Sequence, residues 1–83
     1  PMEMEDLTKR LRASGDIGVS CLAAIIEDRY RRIKKKLPEG RGDEVSFLHG
    51  CLETLLAFGA ITGEEQHMLW QDVMIRAYGE TVL

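Results

Sequence analysis

Apolar residues recur along the chain at steps of three and four, which is the spacing of one face of an α-helix. No segment alternates apolar and polar residues over the length of a strand, and no Asn-Gly or Asp-Gly turn joins two β-branched runs. The pattern predicts an all-α fold, a small bundle of three main helices with a short N-terminal helix and a C-terminal αα-hairpin. We expect residues 1–83 to form a single helical domain.

The N-terminal helix is predicted over residues 4–13. Leu7 and Leu11 lie one turn apart and mark its inner face. Gly15 is placed to close this helix in a left-handed conformation. Asp16 then offers a carboxylate that can cap the start of the next helix.

The second helix is predicted over residues 17–36. Pro38 stops it, because a residue that precedes proline avoids the helical region. Residues 38–42 follow as the clearest loop of the chain. The inward arc of this helix is predicted to contain Val19, Leu22, Ile26, Tyr30, Ile33 and Leu37.

The third helix is expected to begin at an Asp43 cap and to continue to Phe58. Its apolar positions cover about half of the helical wheel, which is wider than the arc of a typical surface helix. A helix of this kind needs cover on two sides, so we expect it to be central. Its apolar residues are Val45, Phe47, Leu48, Cys51, Leu52, Leu55, Leu56 and Phe58.

A tight hairpin is predicted between the third and fourth helices. Gly59 suits the left-handed position that closes a helix. Thr62 and Glu65 have the spacing of a capping box, in which each side chain accepts from the other residue's backbone N–H. The fourth helix should then cover residues 63–78 and end at Gly79. Its inner face is predicted to hold Leu69, Trp70, Val73, Met74, Ala77 and Tyr78.

Composition favours a small globular protein that gains stability from a partner. The 83 residues are 45% apolar and 30% charged, which is typical of a folded soluble chain. A domain of this size buries only about 60% of its unfolded surface, so association with a second subunit is a common supplement. Cys21 and Cys51 are too few for a disulfide scaffold, and we expect free buried thiols in a reducing cytoplasm. No apolar run reaches the roughly 20 residues that cross a bilayer.

Candidate catalytic and metal-binding residues are few. His49 and Cys51 are two residues apart on one helix, which points them in nearly opposite directions. A zinc site that combines them with Cys21 and His67 lacks the closely spaced ligand pairs that such sites use. Glu64 and Glu65 occupy the first turn of a helix, where acids complement the helix dipole. We therefore expect no enzyme, no metal and no cofactor.

The sharpest functional feature is a basic run in the second helix. Six of the 11 basic residues lie in it, and residues 1–42 as a whole have ten Lys and Arg against seven acids. This basic face can neutralise nucleic-acid phosphates or contact an acidic protein. Alternatively, it complements the end of its own helix and the acidic half of the same chain. The basic residues are Arg29, Arg31, Arg32, Lys34, Lys35 and Lys36.

Two further binding surfaces are considered. Met68 and Ile75 fall together on the outer side of the fourth helix and predict the seam of a homodimer. A small-anion site built from Arg29, Arg32 and Arg41 is a further alternative, but no sequence motif supports it. The ending Thr81-Val82-Leu83 matches a PDZ ligand, yet in a chain typical of bacteria or their phages we interpret it as a frayed tail.

The sequence therefore predicts a small intracellular regulatory, adaptor or inhibitor protein. It should act by stoichiometric protein–protein binding, as a homodimer, and its partner is not identified by any motif. The alternative is a nucleic-acid-associated regulator that uses the basic residues 29–36.

Overall fold

The computed structural model describes residues 2–82 of the chain and the side chains of residues 2–79. Between residues 2 and 82 there is no strand, so the predicted all-α bundle with a short N-terminal helix is confirmed. Two short 3₁₀ turns, Ile33–Lys35 and Pro38–Gly40, lie between the second and third helices. The four helices are α1 (Met4–Arg12), α2 (Ile17–Arg32), α3 (Gly42–Ala57) and α4 (Gly63–Val82).

The core lies where the four helices meet. α1 packs against α2, α3 packs against α4, and α2 packs against α3. Leu48, Leu52 and Leu55 of α3 are buried, and α3, the most apolar helix, packs against both α2 and α4. The remaining buried apolar side chains are Met4, Leu7, Leu11, Ala23, Ile26, Ile33, Val45, Cys51, Ile61, Leu69, Val73 and Ala77.

The turn between α1 and α2 follows the predicted local signals. Gly15 has φ +80°, a left-handed conformation that side chains disfavour. The Asp16 carboxylate accepts a hydrogen bond of 3.0 Å from the backbone N–H of Val19 and so caps α2.

The turn between α3 and α4 also follows its predicted signals. Gly59 has φ +75°. The Thr62 N–H donates to Glu65 Oε1 over 2.9 Å, and the Glu65 N–H donates to Thr62 Oγ1 over 3.1 Å, which confirms the capping box. Arg10 of α1 donates to the same Glu65 carboxylate over 2.6 Å and to the Ala60 carbonyl over 3.1 Å. The cap of α4 therefore also attaches α1 to the hairpin.

The interactions of Glu65 make the free energy of unfolding depend on pH in the acidic range. The hydrogen bond from Arg10, and then that from the Thr62 N–H, lower the pKa of Glu65 from 4.5 to about 2. Because the folded pKa is depressed, the contribution of this carboxylate is complete above pH 4.5 and is lost as the pH falls towards 2. Urea unfolding measured from pH 6 to pH 2 should show this loss, and Glu65→Gln should reduce it. Glu64→Gln removes a neighbouring carboxylate that bonds neither Arg10 nor Thr62; equal effects of the two substitutions would contradict the assignment.

Three predicted helix ends are wrong. α2 ends at Arg32, four residues before the predicted Lys36, because its last turn tightens into a 3₁₀ turn ahead of Leu37, which is extended and precedes Pro38. Asp43 does not cap α3, which already begins at Gly42, so Asp43 lies in the first helical turn.

The third wrong end is that of α4, which continues through Gly79 to Val82. A glycine inside a helix lowers the stability of that helix by only about 1 kcal/mol, so Gly79 does not have to end α4. A Cβ at position 79 would lie only 3.1 Å from Cγ2 of Ile75, so a residue without a side chain fits closely there. Thr81 and Val82, predicted as a frayed tail, therefore have helical backbone, whereas Leu83 lies outside the described residues.

Several side chains predicted to be buried are exposed. Leu37 and Phe58 are 71% and 82% exposed, because each lies beyond the end of the helix whose arc was extended to include it. Phe47 and Met74 lie at the edges of their buried arcs and are partly exposed. Cys21, predicted to be a core thiol, is exposed because it lies on the solvent side of α2, whereas Cys51 is buried.

The connector between α2 and α3 is fixed by a buried arginine. Arg41 is 5% exposed and lies in the segment predicted as the clearest loop. Its Nε donates to the Lys36 carbonyl and its Nη1 to the Ala77 carbonyl, each over 2.8 Å. The guanidinium thus joins the end of the basic run to α4.

No helix within residues 2–82 is long and apolar enough to span a membrane.

Candidate functional site

The basic run is divided between cations that turn towards α3 and cations that face solvent. The first and last residues of the run turn towards α3: Lys36 Nζ lies 2.9 Å from Glu44 Oε1, and Arg29 Nη1 lies 3.5 Å from Glu44 Oε2. The Arg29 guanidinium also stacks on the Phe47 ring at 4.4 Å from its centroid. Both cations therefore face α3 and hold the corner between α2 and α3.

Glu44 is the buried centre of this corner. The hydrogen bond from Lys36, with Arg29 nearby, lowers the pKa of its carboxyl below the ordinary range although burial acts in the opposite direction. Its Oε2 accepts no hydrogen bond from any described group, so Arg29 balances that oxygen by charge alone. In the sequence, Glu44 appears only as an acid in the first turn of a helix. That position does not indicate a buried carboxylate that is paired with basic side chains.

The other four cations lie on the surface. Arg31 pairs with Glu27 at 3.6 Å, and Arg32 pairs with Asp28 at 3.0 Å, each one helical turn away. Lys34 and Lys35 are exposed and have no acidic partner among the described side chains. Four of the six predicted contact residues thus already meet acids of the same chain: Arg31 and Arg32 meet acids of α2 itself, and only Arg29 and Lys36 meet Glu44, which lies in the acidic half.

An apolar face on α2 was missed by the sequence analysis. Ile17, Cys21, Ala24 and Ile25 are all exposed, and their spacing places them on one side of the helix. A shallow depression of about 480 Å³ lies beside them at the junction with α1. The same spacing was visible in the sequence, but the inward arc of α2 contains more apolar residues and was assigned alone.

The predicted strip on α4 is partly retained. Ile75 is 68% exposed, whereas Met68 is half-buried and offers less surface than expected. Met74, predicted to face inward, is partly exposed beside Ile75, and Gln71 lies between Met68 and this pair. We call Met68, Gln71, Met74 and Ile75 the α4 strip.

A polar cluster joins the start of α1 to α2 and α4. Asp72 accepts from the Tyr30 hydroxyl and from the Met4 backbone N–H, both over 2.9 Å. Arg76 donates to the Tyr30 carbonyl over 2.7 Å and stacks on the Tyr30 ring. The sequence placed Tyr30 in the core but gave no sign of this cluster, because its partners are far apart along the chain.

The same cluster forms one wall of a half-open cavity of about 350 Å³. Its charged lining mixes cations with acids, and two of these, Arg31 and Glu27, already pair with each other. The residues around it are Met4, Glu5, Thr8, Lys9, Glu27, Tyr30, Arg31 and Arg76.

The groups capable of metal binding or nucleophilic chemistry are dispersed. The His49 ring packs edge-on against Trp70 at 4.8 Å between centroids and lies 3.6 Å from Glu53. Burial raises the pKa of the Cys51 thiol, which keeps it protonated. In the described part of the chain, no three His, Cys, Asp or Glu side chains are grouped to hold a metal ion.

Comparison of the chain with protein-family models, with curated proteins and with solved structures finds no match.

Proposed function

We propose that this protein is a small regulatory or adaptor protein that acts by stoichiometric binding of another protein, and that it does so as a homodimer. The supporting observation is that two helices present separate unpartnered apolar faces: Ile17 to Ile25 on α2, and the α4 strip. Single exposed apolar residues are common, but contiguous faces of this kind mark interaction surfaces. Two faces allow one to serve self-association and the other to serve a partner.

The α4 strip suits a second copy of the chain. In a two-fold interface the same patch faces itself, so residues close to the axis meet their own equivalents and like charges there repel each other. The strip contains no formal charge. The neighbouring charged residues Asp72 and Arg76 are directed to Tyr30 and are partly buried. The four residues of the α4 strip therefore bring no like charges together, and the exposed acid on the same side of the helix, Glu64, lies one turn before Met68 at the end of the strip.

We expect a dimer in light scattering at micromolar concentration, and a 9.4 kDa monomer for Met74→Glu combined with Ile75→Glu. Two glutamates facing their equivalents across a two-fold axis repel each other and would be desolvated. The test changes Met74 and not Met68, because half-buried Met68 contributes to the fold. Phe58→Glu places a glutamate at an exposed apolar position just after α3 and should leave the dimer intact. A wild-type monomer would reject the homodimer.

Nucleic-acid binding is the second candidate. It is favoured by Lys34 and Lys35, which are exposed and lack acidic partners among the described side chains. An observation against it is that Arg29 and Lys36 already form ion pairs with buried Glu44. Binding of this kind would weaken steeply with salt, with a slope near −0.9 in log K per phosphate contact.

Affinity capture from extracts of the source cell with the full chain as bait tests the function. Protein binding predicts one retained protein in near-stoichiometric amount, unaffected by nuclease. Retention of nucleic acid alone, lost after nuclease treatment, would support the second candidate instead.

We also propose a cytoplasmic location, supported by an exposed unpaired thiol at Cys21, since such thiols persist in reducing compartments.

A further inference from the structure

The solvent face of α2 changes in character halfway along the helix. Its first half is apolar, from Ile17, which is 82% exposed, to Ile25. These two residues are about 12 Å apart along the helix axis. Between them lie Cys21 and Ala24, whose short side chains leave room for larger side chains of another molecule. The apolar half is therefore an exposed row with a shallow centre.

The second half of the same face is basic. Arg31 and Arg32 continue the row and Lys35 follows them in the 3₁₀ turn, all three exposed. Glu27 and Asp28 offset part of this charge through ion pairs. In the surrounding surface the basic residues exceed the acidic ones by two: Arg12, Arg31, Arg32, Lys34 and Lys35 against Asp16, Glu27 and Asp28.

We propose that this face of α2 docks an acidic amphipathic helix of the partner protein. The apolar side chains of that helix would cover Ile17 to Ile25, and its Asp and Glu residues would lie against Arg31 to Lys35. An apolar anchor gives affinity, while the charge pairs fix direction and register. The face is about 22 Å long between Ile17 and Arg32, which corresponds to a helix of roughly 15 residues. This inference rests on the proposed function, that the protein acts by binding another protein.

A second copy of the chain is a poor occupant of this face. Parallel pairing of two α2 helices would bring their basic halves together. Antiparallel pairing through Cys21 and Ala24 would place Arg31 of one copy near Arg12 of the other. Both arrangements put cations beside cations, which costs binding energy. Nucleic acid would use the basic half and leave Ile17 and Ile25 exposed.

A membrane surface fits the face less well than a helix does. A helix that lies in a bilayer has an apolar face along its whole length, with charges at the sides. On α2 the same face turns charged after Ile25, so the basic half would be forced towards the acyl chains.

The test is a selection of displayed random peptides of about 18 residues against the full chain at 0.15 M salt. We expect enriched peptides to combine apolar residues at helical spacing in one half with Asp and Glu in the other. Their affinities are then measured by fluorescence anisotropy. Ile17→Glu combined with Ile25→Glu should weaken binding by about tenfold or more. Arg31, Arg32 and Lys35 replaced by glutamine should weaken it several-fold and reduce its salt dependence.

The control variant carries glutamates at Ser46, Thr54 and Ala57, exposed positions of α3. It changes the net charge by the same three units and should bind as the wild type does. Circular dichroism confirms that each variant is folded. Because the apolar and basic halves are altered separately, failure of one variant to fold leaves the other as the test.

Three outcomes overturn the inference: no enriched peptide, enriched peptides without acidic residues, or binding that both α2 variants retain. Preferential binding of duplex DNA, RNA or anionic lipid vesicles through the same residues also overturns it. The proposed function fails separately, when cell extracts yield no protein partner. A captured protein that is retained equally by wild type and by both α2 variants contradicts the docking face and leaves the proposed function standing.

Discussion

Arg41→Ala is expected to lower the free energy of unfolding by about 3 kcal/mol, a loss comparable to that of a buried leucine. The guanidinium is nearly inaccessible and donates over 2.8 Å to the carbonyls of Lys36 and Ala77. Alanine removes both bonds and the packing of the long side chain, and it leaves the carbonyls with poorer partners. Urea unfolding monitored by circular dichroism measures the effect.

Arg41→Lys and Arg12→Ala define what the first result means. A lysine has one ammonium group in place of the planar fork, so Arg41→Lys should recover less than half of the lost stability. Arg12 forms an exposed pair with Glu27, and its removal should cost at most about 1 kcal/mol. If Arg41→Ala costs no more than Arg12→Ala, Arg41 does not hold the connector.

Arg41 also shows the limit of a prediction from sequence. Local signals were sufficient at Asp16, Gly59, Thr62 and Glu65, because each acts within three or four residues. Arg41 lies among Pro38, Gly40 and Gly42, a composition typical of a mobile loop. Its partner Ala77 is 36 residues away, and no local pattern reports a contact of that kind.

The candidate surfaces show the same division. The spacing of Met68 and Ile75 predicted both on the outer side of α4; Ile75 is exposed there, whereas Met68 is half-buried, and this difference depends on tertiary packing. Charge clustering identified the basic run, yet it could not separate Arg29 and Lys36, which meet buried Glu44, from exposed Lys34 and Lys35. The separation requires knowing which face of α2 meets α3.

The apolar face of α2 was missed for a different reason. Its residues have helical spacing, so the signal was present in the sequence. The helix has two apolar arcs, and a wheel with two arcs does not tell which one faces the core. Ile26 is fully buried while its neighbour Ile25 is exposed, and this difference follows from where α1 and α3 pack.

Asp72→Ala is expected to cost about 2–3 kcal/mol, because one carboxylate joins three helices. Its Oδ1 accepts from the Tyr30 hydroxyl and its Oδ2 from the Met4 N–H, each over 2.9 Å and in partly buried surroundings. Alanine leaves two donors without an acceptor and removes a negative charge from the start of α1, where it complements the helix dipole. Asp72→Asn keeps one acceptor oxygen and should lose about half as much.

Tyr30→Phe and the double variant isolate the bond between Tyr30 and Asp72. Burial and the hydrogen bond to Asp72 raise the pKa of the Tyr30 phenol well above its ordinary value of 10. In Asp72→Ala the burial remains while the bond and the negative charge are gone, so the phenol should titrate at lower pH than in the wild type. Ultraviolet titration of the wild type and of Asp72→Ala measures this shift. Urea unfolding of the wild type, Tyr30→Phe, Asp72→Ala and the double variant should give a coupling energy between Tyr30 and Asp72 of about 1 kcal/mol. Additive losses, with an unchanged titration, would show that Asp72 stabilises the protein through Met4 and the α1 terminus alone.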